Sequence, residues 1–323
     1  MTKLLERLGV ELPVVQAGMG GGIARGELAA AVSEAGGLGT LGIMPPKALA
    51  GELEKARQAT TKPIAVNLLL NFARARHWEV ARAADAIVTF WGRPRRRSEG
   101  VWLHQCGSLD EARRARAAGA DGVIVQGVEA GGHVRGTTPA LELLQQVRAA
   151  LPDGYPLLLA GGIADAADVH RALDAGAEAA VLGTRFLMSE ESGARRAYKQ
   201  RLMESRETVL TELFGLGWPN APHRVIWNEA TERWLAKDRR GPSWVRVANR
   251  LTEPALSRLP ESLQGTALKR QGATMPFLSP RPPAEATPSN LLDFGPLYAG
   301  ETVARIHDVR PAAELVRELS RVG

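Results

Sequence analysis

Short apolar, β-branched runs alternate with stretches of helical composition along residues 12–186. The runs at 12–19, 38–43, 64–70, 86–91, 101–106, 123–125, 156–160 and 179–182 read as buried strands. Strands covered on both faces show continuous rather than alternating hydrophobicity. The stretches at 25–35, 46–59, 74–83, 108–118, 139–150 and 165–175 read as helices. Pro46 starts one of them, and Ser108 with Glu111 gives a capping-box pattern at the start of another. Strands alternating with helices imply a parallel sheet, and eight such strands imply an α/β fold of the (β/α)8 TIM barrel type, closing near Phe186.

An internal echo supports repeated units. Ala118-Gly-Ala-Asp121 precedes the run at 123–125, and Ala175-Gly-Ala-Glu178 precedes the run at 179–182. An open doubly wound sheet is the alternative. It is disfavoured because Gly18-Met-Gly-Gly-Gly22 does not fit the dinucleotide fingerprint and no ribose-binding acid follows at the right distance. One connection, 92–100, is too short for a full crossover helix.

Beyond the barrel the texture changes. Residues 194–214 read as a charged amphipathic helix, 228–237 and 244–251 as further helical pieces, and 301–322 as a last helix. The expected organisation is a barrel over 1–214, a small, mostly helical lid or substrate domain over 215–296, and a segment over 297–323 that returns to the barrel. Trp218, Trp227, Trp234 and Trp244 fall in the middle part. They either pack a helical layer against the barrel mouth or form a hydrophobic lid over a substrate.

Composition narrows the classes. No run reaches the ~18 consecutive apolar residues of a membrane span, and the start lacks the apolar core of a signal peptide. The single cysteine, Cys106, cannot close an intrachain disulfide, which fits a reducing compartment. A cytoplasmic enzyme with no membrane partner is expected. The net charge of +6 weakly favours anionic ligands. The densest basic run, Arg93-Pro-Arg-Arg-Arg97, reads as a solvated loop rather than a nucleic-acid or phosphate patch, because no aromatic platform or nucleic-acid motif accompanies it.

Chemistry concentrates where strands end. In this fold ligands bind at the carboxyl ends of the strands. Gly18, Gly131, Gly132, Gly161, Gly162 and Gly183 all follow strand runs. Missing side chains expose backbone N–H groups and let a ligand approach. The loops after the seventh and eighth strands, with Gly161, Gly162, Gly183 and the hydroxyl of Thr184, are the expected phosphate site. Asn67 lies inside an apolar run, where it either bonds a neighbouring loop or contacts a ligand. His133 stands just beyond the sixth strand, and no metal-binding pattern accompanies it.

Gln16-Ala-Gly-Met19, Ala65-Val-Asn67, Glu129-Ala-Gly-Gly-His133, Ala160-Gly-Gly-Ile163 and Gly183-Thr-Arg-Phe186 resemble the nitronate monooxygenase family, formerly called 2-nitropropane dioxygenases. Gly217-Trp-Pro219, His223-Arg224 and Leu297-Tyr-Ala-Gly300 extend the resemblance into the tail. The resemblance implies non-covalent FMN. Gly18 and Met19 would meet the flavin ring with backbone atoms. Asn67, Gln105 and Gln126 would hydrogen-bond the ring or the ribityl chain. Gly131 and Gly132 would let the sixth loop approach it, and Gly161, Gly162, Gly183 and Thr184 would hold the phosphate. His133 would act on the substrate as base or hydrogen-bonding partner. Gln105 stands where some relatives carry lysine.

The implied reaction oxidises alkyl nitronates with O2 to a carbonyl compound and nitrite. The partners are then a small nitronate or nitroalkane and O2, with no nucleic acid, and a homodimer is allowed. The same barrel also accommodates an NAD(P)H-dependent quinone or enoyl reductase. A non-redox barrel for a phosphorylated metabolite is the remaining reading.

Overall fold

The computed structural model describes residues 3–256, 271–272, 274 and 276–321. Of the expected middle segment, 257–270, 273 and 275 lie outside the described residues, as does Val322 at the end of the expected last helix. The chain divides into two compact units. The first comprises residues 1–130, 135–193 and 308–323, and the second comprises 131–134 and 194–307.

The first unit is the barrel. Its strands are β1 (Val14–Gln16), β2 (Gly39–Leu41), β3 (Ile64–Leu69), β4 (Ala86–Phe90), β5 (Val101–Cys106), β6 (Gly122–Gln126), β8 (Leu157–Ala160) and β9 (Ala179–Leu182), all paired in parallel. The sheet order β1-β9-β8-β6-β5-β4-β3-β2 runs round from one chain end to the other, and a parallel bridge from Val15 to Leu38 closes the ring. Eight strands closed in sequential order make a TIM barrel.

The side-chain period of two sorts each strand into an inner and an outer face. Val15, Ala65, Val88, Leu103, Ile124, Leu158 and Val181 form the inner core, while Trp102, Val123, Val125, Leu157 and Leu159 pack outward among the helices. A short helix at the start, α1 (Lys3–Leu8), was not apparent from the pattern. Its Leu4, Leu5 and Leu8 join the inner core. Glu178, just before β9, accepts the N–H groups of Leu4 and Leu5 at 3.1 and 3.0 Å. The amino end of the barrel is therefore plugged by protein, which leaves the carboxyl end for ligands.

The repeated Ala-Gly-Ala-acid motif has a common structural use. Gly119 and Gly176 adopt left-handed conformations, φ +88° and +95°, directly after helices α5 (Leu109–Ala117) and α7 (Ala166–Asp174). An L side chain is disfavoured there. The following acids then bind backbone: Glu178 holds α1 and Asp121 accepts the N–H of Trp102 at 2.9 Å. At the start of α5, Ser108 accepts the Glu111 N–H as expected, but the Glu111 carboxylate reaches back to Gly107 rather than to Ser108.

No helix occupies 92–100, as the length of that connection implies. Trp91 and Gly92 turn the chain with φ of +55° and +92°. Arginines then cover the outside of the strands. Arg96 bonds the Gly119 carbonyl and Asp121 and lies 5.9 Å from the Trp102 ring, and Arg97 lies 5.4 Å from the Trp78 ring. Part of the basic run is thus packing rather than a bare solvated loop.

The second unit contains a three-stranded antiparallel sheet in the order β10-β11-β7. Its strands are β7 (Gly132–His133), β10 (Val209–Thr211) and β11 (His223–Val225). The expected single helix over 194–214 is corrected here: helix Arg196–Glu204 ends first, and β10 follows. Helices Glu229–Trp234 and Ser243–Leu256 match the expected pieces in place, the first capped by Asn228 accepting the Thr231 N–H. Val209, Leu213, Phe214, Val225, Leu235 and Leu278 form its core. The expected last helix over 301–322 is also two elements. A 3-10 turn, Glu301–Arg305, belongs to the second unit, and helix Ala312–Leu319 belongs to the first. Pro311 separates them, since it cannot donate a helical hydrogen bond but suits a helix start.

Candidate functional site

The alternation within the barrel places three amides. Asn67 lies two residues beyond Ala65, Gln105 two beyond Leu103, and Gln126 two beyond Ile124, so all three share the inner-facing register at the carboxyl ends of β3, β5 and β6. Asn67 and Gln126 are buried and Gln105 is partly exposed. Gln126 Oε1 accepts the Arg135 N–H at 3.3 Å. Gly18 packs on Asn67, and a Cβ at Gly18 would collide with the asparagine side chain. Met19 is partly exposed, and its carbonyl accepts the Ala24 N–H at 3.0 Å.

The loops after β8 and β9 form an open cradle. Gly161 and Gly162 both take positive φ, +104° and +74°. A Cβ at Gly162 would meet nothing closer than Glu129 Cβ at 3.9 Å, and one at Gly183 nothing closer than Ala17 Cβ at 3.9 Å. Gly183 leads into a single helical turn, Thr184–Leu187, and Thr184 is buried. Space that a side chain would fill, left open at two adjacent loops beside a hydroxyl, fits a phosphate of the kind FMN carries.

Gly131, Gly132 and His133 belong to the second unit. Gly131 is required by close packing, since its Cβ would collide with the backbone of Ala299 and Gly300. Gly132 has φ +70° and nothing within 4 Å of its would-be Cβ. Across β7 and β11, His133 pairs with His223. The His133 ring stacks on Trp218 with centroids 3.8 Å apart and planes 21° apart, and it lies 5.3 Å from the His223 ring and 5.5 Å from the Tyr298 ring.

These neighbours are held firmly. The Phe214 N–H donates to His223 Nε2 at 3.2 Å, so Nδ1 carries the proton and donates to the Ala221 carbonyl at 2.9 Å. The Tyr298 hydroxyl donates to the Pro280 carbonyl at 2.8 Å, and the Tyr198 hydroxyl donates to the Tyr298 carbonyl at 2.6 Å. Burial holds His223 down at about 4. Burial, with His223 alongside, also holds His133 well below the ordinary histidine range. The His133 imidazole is therefore neutral at pH 7, a proton acceptor rather than a fixed cation.

Trp218, His223 and Tyr298 were visible in the sequence as parts of separate tail motifs. Their meeting around His133 was not, because it depends on the pairing of β7 with β11. No described group of His, Cys, Asp and Glu residues forms a metal cluster, and no described helix is long and apolar enough to cross a membrane.

Comparison with known proteins gives this arrangement a family. The nitronate monooxygenase family profile matches residues 1–98 and 95–321. A nitronate monooxygenase of Pseudomonas aeruginosa is 32% identical over 282 residues, covering 69% of this chain and 80% of that protein. A (3aS,4S,5R,7aS)-5-hydroxy-7a-methyl-1-oxo-octahydro-1H-indene-4-carboxyl-CoA dehydrogenase of Mycobacterium tuberculosis is 34% identical over 246 residues, covering 72% of this chain and 68% of that one. Among solved structures, FabK from Thermotoga maritima superimposes with a TM-score of 0.76 at 26% identity, covering 99% and 94% of the two chains. Nitroalkane oxidase from Streptomyces ansochromogenes does so with a TM-score of 0.74 at 28% identity, covering 98% and 96%. The chain is an oxidoreductase and belongs to the nitronate monooxygenase family.

Proposed function

We propose that the protein is an FMN-dependent enzyme that oxidises alkyl nitronates with O2 to a carbonyl compound and nitrite. The observation that carries this reading is the His133 imidazole stacked on Trp218 and flanked by His223 and Tyr298, a ring held in one orientation that can accept a proton from, or hydrogen-bond to, a nitro or nitronate group. In this reading Gly161, Gly162, Gly183 and Thr184 hold the FMN phosphate, Asn67, Gln105 and Gln126 meet the ring or the ribityl chain, and Gly18 and Met19 present backbone atoms to it. FMN supplies the two-electron chemistry when bound, and O2 is the final acceptor. The protein's part is to bind and orient the substrate and to take its proton at the imidazole nitrogen of His133. Trp218 and Tyr298 hold the ring, and their apolar surfaces exclude water from it.

The test is an anaerobic absorbance experiment on the FMN-loaded protein. Propionate 3-nitronate, propyl-2-nitronate and NADH are added separately. Bleaching of the flavin by a nitronate, with nitrite released on admission of O2, is expected. Bleaching by NADH alone would instead assign a reductase on the same barrel. Purification as a colourless protein that does not take up FMN would remove both.

A further inference from the structure

The loops after β3, β4 and β6 and the end of β5 enclose a second feature at the carboxyl end of the barrel. It is a cleft of about 640 Å³ whose polar lining includes Asn71, Arg93, His104, Glu111, Arg114 and Arg135. It lies wholly within the first unit. In the strand order it sits by β4 and β5, across the ring from the glycine cradle after β8 and β9. It opens where the short 92–100 connection leaves no crossover helix.

The charges in it do not cancel. Three guanidiniums face one carboxylate. Arg135 pairs with Glu111 and lies 4.5 Å over the Trp91 ring, so its fork is fixed in place. Among the described residues Arg114 pairs only with Asp110, four residues earlier on the exposed face of α5, a contact of the kind that contributes little and exchanges readily. Arg93 is exposed, and no hydrogen bond or ion pair engages it among the described residues. Arg96 and Arg97 of the same run are committed to Trp102 and Trp78, whereas Arg93 lines the cleft.

His104 adds a neutral imidazole, which burial holds down at about 4. Thr89 Oγ1 accepts the Trp102 indole N–H at 2.8 Å. Thr89 Oγ1 also shares a hydrogen bond with His104 Nδ1 at 2.7 Å and donates weakly to the Leu103 carbonyl at 3.4 Å. Guanidinium forks lining a space of nucleotide size match the geometry of phosphate oxygens.

We infer that this cleft binds the phosphate or pyrophosphate group of a second ligand, with Arg93, Arg114 and Arg135 as the anion-binding set. The inference does not depend on nitronate oxidation, because binding here is read without turnover. Two sources could supply the group, free pyrophosphate or a nucleotide.

Calorimetric titration of the FMN-loaded enzyme separates them, with ADP and inorganic pyrophosphate as probes. Loading with FMN keeps the glycine cradle from taking the probe. At least one probe is expected to bind. Its Kd should weaken by about 10-fold or more in Arg93→Glu or Arg114→Glu, since hydrogen bonds to charged groups are worth that much. The flavin spectrum should be unchanged in both variants. Tighter binding of ADP than of pyrophosphate assigns a nucleotide, and equal binding assigns recognition of the phosphates alone. Failure of both probes to bind at millimolar concentration overturns the inference, as does wild-type affinity in both variants.

Discussion

His133 lies flat against Trp218, ring to ring at 3.8 Å and 21°. The stack shields one face of the imidazole from water, and burial is the main reason its proton affinity is low. Replacing Trp218 by Leu should let water reach the ring and raise its pKa toward the ordinary value. The acid limb of a pH profile of kcat/KM for nitroalkanes should then move to higher pH. An unmoved limb, in a variant that folds and holds FMN, would show that Trp218 does not set the basicity of His133.

The glycine cradle gives a second expectation. Gly162 has a positive φ, so any substitution there strains the backbone as well as filling space. Gly183 has φ −98°, which an L residue accepts, and open space around its would-be Cβ. Gly183→Val should therefore fold with stability within about 1 kcal/mol of the parent yet lose FMN occupancy. Gly162→Val should lose FMN and some stability together. Full FMN content in a folded Gly183→Val protein, read from absorbance against protein concentration, would move the phosphate elsewhere.

The barrel was legible because parallel strands covered on both faces leave continuous apolar runs, and β5 and β9 match those runs residue for residue. The elements that were misread lack that internal signal. Residues 209–211 carry a pattern compatible with a charged helix, and they become a strand only because 223–225 pair with them. The break at Pro311 was signalled by the residue itself but outweighed by the amphipathic pattern around it. The inner-facing positions of Asn67, Gln105 and Gln126 follow from strand parity alone. The cluster round His133 does not. Residues 133, 218, 223 and 298 are distant in sequence, and only the antiparallel register of His133 with His223 brings the first strand of that set to the others. The cleft at Arg93 was equally hidden, because four arginines in one run look alike until packing on Trp78 and Trp102 distinguishes two of them.

Buried histidines also set an acid limit on the fold. His104 and His223 are held down at about 4 by burial, and His133 lies well below its ordinary 6.5. Above about pH 6.5 these groups are neutral folded or unfolded and contribute no pH dependence. Below it the unfolded chain takes up protons that the folded chain refuses, so stability falls as pH falls. Each such histidine costs about 1.4 kcal/mol per pH unit. For His104 and His223 the loss continues to about pH 4. Urea midpoints at pH 7.5, 6.0 and 5.0 should therefore decline steeply between the last two. A flat response across that window would mean that the histidines are not buried in their neutral form.

The sharpest expectation concerns His133 as the proton acceptor. A neutral nitroalkane must lose a carbon-bound proton before it can be oxidised, whereas a preformed nitronate has already lost it. His133→Asn keeps a planar polar side chain of similar reach on β7 and removes the basic nitrogen. FMN content should be retained, because the glycine cradle and the three amides belong to the first unit. Turnover of nitroethane should fall by about 10²–10⁴, the usual worth of a general base, while turnover of ethyl nitronate changes far less. Equal losses on the two forms, with KM raised and kcat kept, would make His133 a positioning residue for the nitro group. No loss on either form would remove it from the chemistry altogether. The two substrates share one flavin and one product, so the difference between them isolates the single proton transfer that His133 is proposed to perform.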